Sequence, residues 1–217
     1  MLDTHRKMTA LGVYQHALAY MHESGRSVEL DWQRDSVFGA FTETDFLRET
    51  AWVILCSGFR ETAVRRVFDY VSLAFCDWES AGSIAASAAH CKAAALEAFR
   101  SKAKIGAIVE TALAVDQIGF DYVRQRVLTD PIVELQAFPF IGPITAFHLA
   151  KNLGFDTAKP DRHLVRLAQV LDYPDAHRLC SDLSQMTGES SKVVDLVLWR
   201  YLADHLPRSS VEMLVAA

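Results

Sequence analysis

Apolar residues recur every three to four positions along most of the chain, which is the spacing of an amphipathic α-helix. In segment 4–23, for example, Leu11, Tyr14 and Leu18 fall on one helical face. A short run at 28–32 is the only strand-like segment. The pattern therefore predicts an all-α fold of about nine to eleven helices. After the first, the predicted helices span 45–56, 61–75, 83–99, 102–115, 120–128, 131–138, 143–153, 161–171 and 190–206.

Several helix ends carry their own signals. Thr44 is the predicted N-cap of helix 45–56, because a threonine hydroxyl can accept a first-turn N–H. Pro131 fits the first turn of a short helix, where its missing N–H is not needed. Gly154 is the predicted C′ residue that ends helix 143–153.

The composition is that of a folded globular protein. Of the 217 residues, 51% are hydrophobic and 23% are charged. With 22 basic and 27 acidic side chains, the formal net charge is −5. This charge excludes a polybasic protein that binds polyanions by bulk attraction, although a local basic face remains compatible with it.

The sequence also indicates the cellular compartment of the protein. It has no apolar run long enough for a membrane span, and its N-terminal residues do not form a signal peptide. The four cysteines are widely spaced and form no CxxC pair, so we expect reduced and mostly buried thiols. We therefore expect a cytoplasmic protein with no membrane partner.

The most informative segment is 135–166. Residues 139–142 form a predicted tight turn that ends in Gly142, and a helix starts at Pro143. The first turn of such a helix presents N–H groups without intrahelical partners and can bind a phosphate without a charged side chain. By itself, this turn is more typical of an ordinary connection in an α-bundle.

Downstream of the turn, Asp161 follows a proline and is followed by His163 and Arg166. The combination resembles the HhH-GPD superfamily of DNA base-excision glycosylases. Residues 138–146 resemble its hairpin, L-P-G-[VI]-G-x-x-x-A, and 160–166 resemble its aspartate motif, [VP]-D-x-[HN]-[VIL]-x-R. Segments 52–62 and 99–104 add weaker similarity, so the resemblance covers about 45–170.

The resemblance implies an architecture and a partner. Residues 45–155 would form one helical lobe with a helix-hairpin-helix motif, and residues 1–44 and 156–217 would form the second. A DNA-binding cleft would lie between them, with Asp161 at its mouth. The partner would be double-stranded DNA with a damaged or mismatched base, bound by a monomer that is nucleoid-associated in a prokaryote. No cofactor is implied, although a structural monovalent cation could bind at the hairpin.

The implied activity is hydrolysis of an N-glycosidic bond after base flipping. Asp161 would stabilise the positive charge that develops on the sugar and orient the attacking water. A proline–aspartate pair before an apolar helix is also typical of an N-cap, and one residue can serve both roles.

The resemblance also assigns DNA contacts. The predicted phosphate contacts are Phe140, Gly142, Ile144, Lys102 and Arg162. The predicted base-pocket or wedge residues are Phe59, Arg60, Phe147, Lys151 and His163. Lys104 could extend the phosphate footprint or be a solvated helix residue.

Departures from the family pattern decide between activities. Ile144 stands where bifunctional members carry a lysine, so lyase chemistry by that route is excluded. The cysteines of the iron–sulfur cluster loop are absent, and Phe140 replaces the first hairpin glycine, which alters the expected turn. We therefore predict a monofunctional glycosylase.

Three alternatives stay open. One is a bifunctional glycosylase and lyase with a non-standard lysine, Lys151 first. Another is a non-catalytic helix-hairpin-helix DNA-binding protein, which the net charge and Phe140 favour and Asp161 disfavours. The last is an unrelated α-bundle.

Overall fold

The computed structural model describes residues 2–205 and is helical almost throughout that range. It contains thirteen α-helices and no strand among the described residues, which confirms the predicted all-α class. The chain divides into two compact units, Met1–Ser36 with Gly154–Ala217, and Val37–Leu153. We call them the terminal unit and the central unit. Within the described range, no helix is both long and apolar enough to span a membrane.

The terminal unit is built around its last helix. It consists of α1 (Leu2–Glu23), α2 (Ser27–Asp35), α11 (Arg162–Val170), α12 (Ala176–Thr187) and α13 (Ser191–His205). Helix α13 packs against the other four helices, and its apolar residues are buried nearly all round. A helix enclosed in this way is the centre of a core, because no side of it needs to face water.

Buried polar side chains on α13 fasten the surrounding segments. The guanidinium of Arg200 donates to Glu29 Oε2 on α2 at 2.7 Å. The Lys192 ammonium donates to the backbone carbonyl and the hydroxyl of Ser36. Asp195, also buried, accepts the backbone N–H of Lys159 at 2.9 Å. These bonds connect helix α2, the residue that follows it and the loop before α11 to helix α13.

The central unit holds the remaining helices. They are α3 (Glu43–Cys56), α4 (Glu61–Ala74), α5 (Ala81–Ala86), α6 (Ala88–Ala98), α7 (Lys102–Ile118), α8 (Phe120–Thr129), α9 (Pro131–Leu135) and α10 (Pro143–Asn152). Helix α7 packs against α3, α5, α6 and α8, and α10 packs against α3 and α9. Its helix α10 ends as predicted, with Gly154 following at φ +91°.

The predicted strand-like run at 28–32 is wrong, because these residues belong to helix α2. Leu30 and Gln33 are the buried residues of α2, and their spacing of three is helical. Val28 and Trp32 share the exposed side. In so short a segment, alternation of apolar and polar residues is compatible with a strand and with a helix. The packing of this segment against α13 favours the helix.

Other helix limits also differ from the prediction. The N-cap of α3 is Thr42 and not Thr44: its hydroxyl accepts the Asp45 N–H at 3.1 Å, and Asp45 accepts the Thr42 N–H at 2.8 Å. The predicted helix 83–99 is divided at Ser87, where the backbone leaves helical values. The sequence prediction omits α12, which begins at the N-cap Asp175 and ends at Gly188.

Glu49 links α3 to the end of α10 inside the central unit. Its carboxylate accepts from Arg48 Nη1 at 2.7 Å and from Asn152 Nδ2 at 2.8 Å. Burial raises the pKa of Glu49 above its usual value, because a charged carboxylate is poorly solvated there, and the pairing with Arg48 only partly offsets this.

This raised pKa predicts a pH dependence for Glu49→Gln. A carboxyl whose pKa is higher in the folded state stabilises the fold at acidic pH, and that contribution is lost as the pH rises through the folded pKa. The free energy of unfolding of the variant relative to the parent chain should therefore increase from about pH 4 to about pH 7. Urea denaturation across this range measures it, with the exposed Glu97→Gln as control. A difference that falls with pH would contradict the assignment.

Candidate functional site

The turn between α9 and α10 has the geometry of a tight connection. Asp130 caps α9, accepting the Val133 N–H at 3.2 Å, and the chain leaves the helix after Leu135. Phe140 lies in the left-handed region at φ +63°, where glycine is favoured. The turn thus adopts a positive φ at the position where the hairpin pattern that it resembles has glycine, but the residue here is phenylalanine.

The start of α10 presents fewer free donors than the sequence suggested. The Gly142 N–H donates to the Thr145 hydroxyl at 2.7 Å, and that hydroxyl also lies within hydrogen-bonding distance of the Phe140 and Gly142 carbonyls. Pro143 has no N–H. The first-turn donors left for a ligand are therefore the N–H groups of Ile144 and Thr145.

In the terminal unit, Asp161 is the N-cap of α11. Its Oδ1 accepts the backbone N–H of His163 at 2.9 Å and of Leu164 at 3.2 Å. The preceding loop is held by the Asp161 N–H, which donates to the Lys159 carbonyl at 2.8 Å, and by the bond from Lys159 to Asp195. The Asp161 carboxylate is half-buried and fixed in direction by this loop and by the helix.

His163, two residues after Asp161, is close to several charged side chains. Burial lowers the pKa of His163, and Arg162, Arg166 and Lys159 lower it further, while Asp161 opposes them. Arg162 Nε donates to His163 Nε2 at 3.3 Å, which requires an unprotonated Nε2. Both observations favour the neutral form of the His163 imidazole.

In the central unit, Lys104 lies beside Phe59 and Phe140, two of the predicted DNA contacts. The Lys104 ammonium lies 5.0 Å from the ring centroid of Phe140 and 5.5 Å from that of Phe59. Lys104 is only 5% exposed and donates to the Ile54 carbonyl, so its prediction as a phosphate contact or solvated residue is wrong. Its spacing of four from Ile108, on the buried face of α7, is the sequence signal that could have revealed this.

The other predicted residues of the central unit differ in accessibility. Arg60 and Lys102 are exposed, at the starts of α4 and α7. Phe147 is half-buried on α10. Lys151 is buried, with 5% of its surface exposed, which is an unfavourable position for an amine that must reach a sugar.

Each unit thus contains some of the predicted catalytic and DNA-contacting residues. The central unit brings Phe59 and Phe140 together around Lys104, and the terminal unit places Asp161, Arg162 and His163 in consecutive positions of one helix start. Within residues 2–205, no three His, Cys, Asp or Glu side chains are grouped as a metal site. Compared with family models, curated proteins and solved structures, the chain matches none.

Proposed function

We propose that this chain is a monofunctional DNA glycosylase that removes a damaged or mismatched base. The observation that carries the proposal is the Asp161 carboxylate, half-buried and hydrogen-bonded at the start of α11, close to His163. Both of its backbone hydrogen bonds end on Oδ1, which leaves Oδ2 for a substrate or a water molecule. A carboxylate with a fixed direction is what the reaction requires beside the sugar.

The proposed reaction breaks the bond between the base and C1′ of a nucleotide turned out of the helix. The bonding electrons leave with the base, and positive charge develops on the sugar. Asp161 stabilises that charge electrostatically, orients the water that adds to C1′ and accepts a proton from this water. The departed base takes up a proton from solvent, and Asp161 returns its proton to solvent. The neutral imidazole of His163 can hydrogen bond with the base or with the water.

The start of α10 is the proposed phosphate contact. The Ile144 and Thr145 N–H groups lie at the positive end of a ten-residue helix, and such an end attracts a phosphate even in a protein of net charge −5. Exposed Lys102 and Arg162 add positive charge. Binding of this kind weakens as salt increases.

The proposal favours hydrolysis over lyase chemistry. A lyase needs an amine that can attack the sugar aldehyde. Lys151 is buried, and Ile144 occupies the position where bifunctional glycosylases of the similar family carry a lysine. A non-catalytic DNA-binding protein is the second candidate, and Phe140 in place of the hairpin glycine is the observation that favours it.

A panel of duplexes tests these activities. Alkylated, oxidised, deaminated and mismatched bases are placed singly in labelled duplexes, incubated with the chain and then treated with alkali. We expect alkali-dependent strand breaks with at least one lesion and no covalent adduct after borohydride reduction. A trapped adduct would replace the proposal by a lyase. DNA binding without breaks at any lesion would replace it by a non-catalytic DNA-binding protein.

A further inference from the structure

Two half-exposed phenylalanines of the central unit lie beside one buried ammonium. Phe59 follows α3 and Phe140 precedes α10, and they are 50% and 45% exposed. The Lys104 ammonium is within 5.5 Å of both ring centroids, so the two rings can be no farther apart than the sum of the two distances. Segments 81 positions apart in sequence thus contribute to one aromatic surface, which we call the two-ring surface.

Lys104 contacts both rings, and Phe99 packs against one of them. Lys104 donates to the Ile54 carbonyl in the last turn of α3, where the helix dipole favours a cation. Phe59 also packs against the buried Phe99, with 5.0 Å between ring centroids. The ammonium attracts the rings through their negative faces. Burial lowers the pKa of Lys104, in keeping with its enclosed position.

The backbone at Phe140 points to a role for its side chain. A left-handed φ of +63° disfavours any side chain, and glycine would adopt it without strain. A bulky aromatic residue in this conformation, with its side chain about half exposed, is the kind of local strain that accompanies binding sites. Exposed Arg60 and Lys102, close in sequence to Phe59 and Lys104, add the positive charge that a nucleic acid backbone needs.

We propose that the two-ring surface stacks unpaired nucleobases, with Lys104 as the positioning residue that sets the spacing of the rings. This rests on the proposed function and names its substrate class: DNA in which the target base is already unpaired, as in a bulge, a mismatch or a single strand. Aromatic faces stack on any base, and an unpaired base costs the least energy to bring out of the helix. A fully paired duplex offers no free base face and binds less tightly.

The test measures binding and not base excision, so it succeeds or fails independently of the glycosylase proposal. The probe is DNA with 2-aminopurine in a one-nucleotide bulge, in a single strand or in a fully paired duplex. For the intact chain we expect about tenfold tighter binding to the bulge than to the duplex, with quenched 2-aminopurine fluorescence in the bulge complex. Binding without this preference would overturn the proposal, as would the absence of quenching.

Four variants distinguish the effect of base stacking by the two rings from an effect on folding. Phe59→Leu and Phe140→Gly should each lose about tenfold in affinity for the bulge and restore its fluorescence, with little effect on duplex binding. Phe140→Gly suits the backbone of the turn. Lys104→Met should weaken bulge quenching, and Lys104→Arg, which keeps the cation, should retain most of it. The matched control is Tyr70→Leu, an exposed ring on α4.

Particular outcomes would count against the proposal. If the Phe59 and Phe140 variants lose bulge and duplex affinity equally, the rings contribute to general binding and not to stacking. If Lys104→Met keeps full quenching while remaining folded by circular dichroism, Lys104 is not the positioning residue. If bulge preference persists in a chain that excises no base, the two-ring surface stands and the glycosylase proposal fails.

Discussion

Asp161→Asn is expected to lower base excision by about 100-fold or more while leaving the fold intact. Asparagine keeps an oxygen that can accept the His163 and Leu164 N–H groups, and it is as good an N-cap as aspartate. The amide carries no negative charge, so it cannot stabilise the charge on the sugar or accept a proton from water. Single-turnover excision of the best substrate in the lesion panel measures the loss.

The chain offers a close control for this substitution. Asp175 is the N-cap of α12 in the same unit, accepts the Arg178 N–H at 2.7 Å and is exposed. Asp175→Asn should leave excision unchanged. If both variants keep full activity, Asp161 is only a helix cap and the proposed mechanism is wrong. Equal losses in both would indicate an effect on folding.

Leu164→Ala is expected to reduce the free energy of unfolding by about 2–5 kcal/mol. Leu164 is fully buried in the core of the terminal unit, one turn after Asp161, and α11 packs there against α12 and α13. The truncation removes apolar burial and leaves a cavity, although alanine favours the helix slightly. Urea denaturation followed by circular dichroism measures the shift.

The matched control lies on the same helix. Gln169 is exposed, and Gln169→Ala should change the free energy of unfolding by less than about 0.5 kcal/mol. A small effect of Leu164→Ala, similar to that of the control, would show that α11 is not held by the core. A large effect would show that the position of Asp161 depends on apolar packing as well as on its own hydrogen bonds.

The parts of the site with strong local signals could be predicted from the sequence. Pro143 and Gly154 delimit α10 because one lacks an N–H and the other accepts a positive φ. Asp161 before an apolar helix predicts an N-cap, and the structure confirms it. Helical spacing also predicts the all-α class, which the structure confirms.

The features that could not be predicted from the sequence depend on contacts between segments that are distant in sequence. Nothing near Lys104 in sequence shows that its ammonium lies beside Phe59 and Phe140, since this follows from how α3, α7 and the turn before α10 pack. The Gly142 N–H is another example: its acceptor, the Thr145 hydroxyl, could equally have faced solvent. For α2, the alternation of residues suited a strand, and only burial of Leu30 and Gln33 shows the helix.

The discontinuous terminal unit sets an order of assembly during synthesis. All residues of the central unit, Val37–Leu153, are synthesised before Asp161, so the turn at Phe140 can fold before the terminal unit is complete. The Asp161 loop must wait for Asp195, its acceptor on α13, and for the apolar residues of that helix. A nascent chain that has not reached α13 would therefore hold a finished two-ring surface before it holds a correctly placed carboxylate.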